Sequence, residues 1–161
     1  MTIKVGDTIP AATLTKVTDA GPEPVSTTDF FGGRTVALFS VPGAFTPTCS
    51  AKHLPGFVGN AEAIKAQGVD EIACLSVNDA FVMGAWGKSA NAGEAVTMLA
   101  DGSAEFTTAL GLTMDASKYG MGIRGQRFSM LVKDGTVLQL HVEEPGAFSV
   151  SSAEYLMSQL K

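Results

Sequence analysis

In the stretch "SVPGAFTPTCSAKHLPG", residues 40–56, Cys49 follows Thr46 by three positions. An apolar run ends there, two prolines intervene, and a helical pattern begins. A cysteine in the first turn of a helix meets free backbone N–H groups and the positive end of the helix dipole. Both favour the thiolate, which is the nucleophilic form of the side chain. In "TPTC", Thr46 occupies the place that the first cysteine of a C-x-x-C redox pair would take. The segment therefore offers one activated thiol, no adjacent thiol partner, and a hydroxyl able to turn toward the sulfur. Pro42 and Pro47 stiffen the loop and shield the thiol from bulk water. A hydroperoxide suits such a site. The thiolate attacks one oxygen of the O–O bond, and the site must stabilise charge on the departing one.

The elements that must position these residues are legible in the apolar pattern. "RTVALFSV", residues 34–41, is a continuous apolar run and predicts a buried strand leading into the cysteine loop. Over residues 48–67, Leu54, Phe57, Val58, Ala61 and Ile64 recur at helical spacing until Gly68. Pro55 lies inside that pattern and is expected to kink the helix or break it in two. "EIACLSV" (71–77) and "AVTMLAD" (95–101) predict further strands, each followed by a helical segment. The helix at 78–90 is expected to be capped by Asn78 or Asp79. Residues 127–143 predict a hairpin around Asp134–Gly135. Residues 151–160 predict a closing helix with a capping box from Ser151 to Glu154. Pro-rich residues 19–29 predict a loop or short hairpin. The result is an α/β fold in one domain spanning 1–161, a mixed central sheet with helices on both faces.

Composition bounds the function. With 161 residues, 45% apolar and 17% charged, the chain can bury a substantial core. A net charge of −5 with scattered lysine and arginine argues against nucleic acid and anionic membrane as partners. No stretch has the length of a signal peptide core or a membrane span, so a cytoplasmic location is expected. Two cysteines make no disulfide framework, which fits a reducing compartment.

"PGAFTPTCSAKHLPGF" resembles the active-site segment of the peroxiredoxins, with Pro42, Thr46 and Cys49 on the P-x-x-x-T-x-x-C motif. "SVNDAFVMGAW", "MLADGS", "RFSMLVKDG" and "FSVSSAE" extend the resemblance over nearly the whole chain, toward the type II, peroxiredoxin-5-like subfamily. The resemblance implies a thioredoxin-like fold and a peroxidatic role for Cys49. It implies hydrogen peroxide and alkyl hydroperoxides as substrates, and antioxidant defence and redox homeostasis as the setting. Glutathione, glutaredoxin or thioredoxin would be the reductant, and no cofactor is needed. The family's catalytic arginine falls on Arg127, with Arg124 as a second choice. The resemblance also implies a homodimer built on the active-site loops, with Phe45, Pro47 and Phe81 as contact residues.

Several residues carry more than one reading. Cys74 is either a core residue of a buried strand or a resolving cysteine that attacks the sulfenic acid on Cys49. His53 shares a helix face with Cys49 and is read as a hydrogen-bonding neighbour, in preference to a base or ligand. Cys49, His53, Cys74 and His141 lack metal-ligand spacing, so no metal is expected. Trp86 and Phe81 read as packing or interface residues. Two other function classes stand beside the peroxidase. One is a cysteine hydrolase using Cys49 with His53 or His141. The other is a thioredoxin-fold redox sensor with little turnover.

Overall fold

A computed structural model describes residues 2–160. Among these residues nine strands form two sheets. The N-terminal hairpin joins β1 (Thr13–Thr18) to β2 (Gly21–Ser26). A short α1 (Thr27–Phe31) leads into β3 (Thr35–Ser40), the buried strand expected ahead of the cysteine loop. After the cysteine segment come α2 (Leu54–Gly59), α3 (Ala61–Lys65) and β4 (Glu71–Ser76). Then follow α4 (Ala80–Ser89), β5 (Thr97–Ala100) and α5 (Glu105–Leu110). A small ribbon of β6 (Thr113–Asp115) and β7 (Ile123–Gly125) precedes β8 (Phe128–Lys133), β9 (Thr136–Val142) and α6 (Ala153–Gln159).

The main sheet runs in the order β2-β1-β5-β4-β3-β8-β9. β3, β4 and β5 are parallel neighbours, and β1, β8 and β9 add antiparallel pairing on either side. Pro22 and Pro24 fall in β2, an edge strand where a missing N–H does not break a ladder. That edge position reconciles a hairpin with the Pro-rich sequence. Asp134 and Gly135 both take positive φ, 48° and 77°, as a two-residue hairpin turn requires.

Side chains alternate along the central strands and divide the core in two. Ala37, Phe39 and Val41 of the β3 segment join Ile72 and Cys74 of β4 on one face, under α2, α4 and α6. Val36, Leu38, Ala73 and Leu75 face the other way, against Phe30, Phe31 and Phe106. On the first face the rings of Phe39 and Phe57 stack 4.0 Å apart, fixing α2 on β3. Both are fully buried. Phe57→Ala is expected to cost about 3–5 kcal/mol and to loosen the cysteine segment.

Two boundaries differ from expectation. The helical stretch over 48–67 is interrupted at Asn60 (φ −106°, ψ 9°), whose side chain donates to the Gly56 carbonyl at 2.7 Å. Ahead of Pro55 it widens into a π-turn, Cys49–His53, in which the Leu54 N–H reaches back five residues to the Cys49 carbonyl. The proline has no N–H and crowds the carbonyl four residues before it, and the wide turn accommodates both. At the C-terminal helix the cap is Ser152, whose hydroxyl accepts from the Tyr155 N–H at 3.1 Å. Ser151, expected to be that cap, turns inward to Glu143. The helix after β4 is capped by Asp79, accepting from Val82 N–H at 2.9 Å.

Candidate active site

The cysteine segment leaves β3 at the carboxyl end of the parallel strands, where open α/β sheets place their sites. Phe45 adopts φ 65°, a left-handed conformation that bulky side chains rarely take. The Thr46 carbonyl then accepts from the Ser50 N–H at 2.9 Å, so Thr46 caps the helix. Pro47 is its first residue, where a missing N–H costs nothing. Cys49 is thus the third helical residue, among amides that an α-helix leaves unpaired. Two further bonds hold the loop. Asn78 Oδ1 accepts from Ala44 N–H at 3.0 Å, and Trp86 Nε1 donates to Ser50 Oγ at 3.0 Å.

Cys49 is fully buried, yet its sulfur meets a cation. Arg127 Nη2 lies 2.9 Å from Cys49 Sγ, and Arg127 Nη1 lies 2.8 Å from His53 Nδ1. Arginine only donates, so Nδ1 of His53 must carry the lone pair and Nε2 the proton. That Nε2–H donates to the Ser151 carbonyl at 2.8 Å. Burial, and then the Arg127 charge, hold the His53 pKa down to about 3, against the pull of the Ser151 carbonyl. His53 is therefore a neutral post for the guanidinium. Both of its nitrogens are engaged, which leaves none to act as a general base. Phe148 closes the group, its ring 5.0 Å from His53 and 5.9 Å from the Arg127 guanidinium carbon.

Thr46 behaves differently from the expectation. Its hydroxyl donates to the Gly43 carbonyl at 2.6 Å and not toward the sulfur. With its proton committed there, Thr46 is left to accept a hydrogen bond from whatever enters the site. Arg124 is near the loop but has another task. It donates to the Pro42 carbonyl at 3.3 Å and to the Met121 carbonyl at 2.9 Å, bracing the loop that Arg127 faces. Pro42, Thr48, Tyr119, Arg127, Glu143 and Ala147 are among the residues lining a cleft of about 670 Å³.

The chain matches the Redoxin family over residues 4–157. It is 51% identical to peroxiredoxin-2E-2, chloroplastic, of Oryza sativa, over 99% of this chain and 73% of that protein. It is 47% identical to peroxiredoxin-2D of Arabidopsis thaliana, over 98% of each. Reduced Prx3 of Vibrio vulnificus in complex with hydrogen peroxide superposes with a TM-score of 0.95 at 51% identity, over 99% of each chain. The chain belongs to the peroxiredoxins. It falls in the type II, peroxiredoxin-5-like subfamily, and it is a thiol peroxidase by family.

The other residues singled out in the sequence of this peroxiredoxin make no hydrogen bond to the Cys49 sulfur. Cys74 is fully buried in the middle of the sheet, its strand paired on both sides at Phe39 and Met98. Burial pushes the Cys74 thiol well up, Cys49 adds to that, and Arg127 opposes it. His141 bonds to Gln139 at 3.1 Å and packs on Tyr155, on β9. Trp86 is buried, whereas Phe81 is 77% exposed and packs nothing within the chain's core. Among the described residues no cluster of three or more His, Cys, Asp or Glu could hold a metal, and no helix is long and apolar enough to cross a membrane. Sequence reasoning missed Glu143, Phe148 and the inward turn of Ser151. Their parts depend on how the 144–150 loop returns to the site, and periodicity carries no trace of that.

Proposed function

We propose that this peroxiredoxin reduces hydrogen peroxide and alkyl hydroperoxides, with Cys49 as the peroxidatic nucleophile. The observation that carries the proposal is the 2.9 Å contact of Arg127 Nη2 with the buried Cys49 sulfur. A guanidinium at that distance supports a thiolate inside an apolar core. In the proposed reaction the sulfur bonds to one peroxide oxygen as the O–O bond breaks. The other oxygen leaves as hydroxide or alkoxide and takes a proton. Arg127 and the helix-start amides stabilise the charge on it, while Thr46 Oγ1 accepts from the peroxide O–H and Pro42 shields the thiol. Cys49 is left as sulfenic acid. A relative's structure that holds hydrogen peroxide supports the substrate class.

For regeneration we propose glutathione with glutaredoxin. A glutathione thiolate attacks the sulfenic sulfur and expels water, and a second thiol releases glutathione from the mixed disulfide. The elevated Cys74 thiol, set between two paired strands, supports this over resolution by Cys74, because little of it is thiolate. The test is peroxide consumption with each reductant in turn. Turnover with glutathione and glutaredoxin is expected; turnover sustained by thioredoxin alone would transfer the resolving role to Cys74.

A homodimer is proposed on Phe45, Pro47 and Phe81. Phe45 is 53% exposed and lies 6.5 Å from Trp86 on α4, the helix that carries Phe81. Sedimentation that showed only monomer at low micromolar concentration would remove it. A cytoplasmic setting is proposed from the two unpaired cysteines.

A further inference from the structure

At the end of β9 one carboxylate oxygen gathers four donors. Glu143 Oε2 accepts from the backbone N–H of Ser149 at 2.7 Å, Val150 at 2.8 Å and Ser151 at 2.9 Å, and from the Ser151 hydroxyl at 2.7 Å. Glu143 is itself buried, 7% exposed. Burial alone would raise its pKa, but the Ser151 hydroxyl and the three amides outweigh that and hold it low. Three successive amides on one anion form a fixed turn.

That turn carries two of the groups that surround His53. The Ser151 carbonyl accepts a hydrogen bond from His53 Nε2–H, and Phe148 packs edge-on against His53. The Glu143 N–H also donates to the Arg127 carbonyl at 3.0 Å, so one residue holds both the arginine's backbone and the turn opposite it. Arg127 Nη1 needs a lone pair on His53 Nδ1, which exists only while Nε2 keeps the proton. An imidazole freed from the Ser151 carbonyl can place its proton on Nδ1 instead. It then faces a guanidinium N–H with its own N–H, and the fork loses its post.

We infer that Glu143 is a positioning residue for Cys49: its carboxylate fixes the 148–151 turn, the turn fixes the tautomer of His53, and His53 holds Arg127 on the sulfur. The inference rests on the peroxidase reading for its rate but not for its geometry.

The test compares Glu143→Ala and Glu143→Gln with the wild type in three measurements. These are the rate constant of Cys49 with hydrogen peroxide, its alkylation by iodoacetamide, and the ¹⁵N spectrum of His53 with His141 as internal reference. In Glu143→Ala both rates are expected to fall about tenfold to a hundredfold, as misplacing a reacting group does. The two His53 nitrogens should lose the wide separation of a single Nε2–H tautomer. Glu143→Gln has the same length and keeps one acceptor, so it should recover part of both effects. A folded Glu143→Ala protein with wild-type rates and a wild-type His53 spectrum would overturn the inference, even if its melting temperature dropped. Should Glu143→Ala fail to fold, Glu143→Gln decides alone: a smaller change in the same direction supports the role, and no change ends it. If the wild type itself ignored peroxide, the peroxidase reading would fall, and alkylation and the His53 spectrum would still decide about Glu143.

Discussion

Cys49 and Cys74 are both fully buried and belong to the same core cluster. One sits on a π-turn with a guanidinium 2.9 Å from its sulfur, the other in a strand paired on both sides. Burial by itself disfavours a thiolate, and at Cys74 it does so. At Cys49 the same apolar setting holds a guanidinium within hydrogen-bond distance of the sulfur. Exposure does not distinguish the two cysteines, both of them fully buried. The partner of the sulfur distinguishes them, and so does the element that carries it.

The change with the largest expected effect is Cys49→Ser. An alcohol is not deprotonated at neutral pH, so peroxide consumption should vanish while far-UV circular dichroism stays native. Arg127→Ala comes next and makes Cys49 resemble Cys74. Losing one charge-stabilising donor should slow single-turnover oxidation by about 10²–10³-fold in stopped flow. Arg124→Ala, which removes only the brace on Pro42, should slow it less.

A third test uses the post between the arginine and the core. The folded value of His53, about 3, lies below the ordinary 6.5 of histidine. As pH falls below 6.5 the unfolded chain takes up a proton that the folded chain refuses, so stability declines toward pH 3. The slope is about 1.4 kcal/mol per pH unit, about 4–5 kcal/mol in all. Urea unfolding of the wild type between pH 6 and 5, where most carboxylates remain ionised, should show such a decline, and His53→Gln should reduce it to the part that burial of His141 contributes. The smallest expected effect is that of Cys74→Ala, which should leave the rate of Cys49 oxidation unchanged in the same stopped-flow assay.

Much of this was legible in the chain itself. The apolar run at residues 34–41 and the turn residues Asp134 and Gly135 act locally, and both elements formed as expected. The helical spacing of apolar residues over 48–67, after the strand at 34–41, placed Cys49 at a helix start, and family resemblance singled out Arg127 over Arg124. What stayed hidden depends on long-range geometry. The Thr46 hydroxyl chose Gly43 because the left-handed turn at Phe45 brings that carbonyl within 2.6 Å. Ser151 gave up the cap to Ser152 because Glu143, eight residues back, offers a charged acceptor. The π-turn arises from Pro55, whose effect on the pattern was expected but whose form was not.

Site-resolved trapping separates the two cysteines: the proposal has Cys49 react with peroxide while Cys74 does not. Reduced protein receives one equivalent of hydrogen peroxide with dimedone present, followed by peptide mass mapping. Dimedone is expected on the Cys49 peptide, with Cys74 recovered as free thiol. Dimedone on Cys74 with Cys49 still reduced would contradict the proposal.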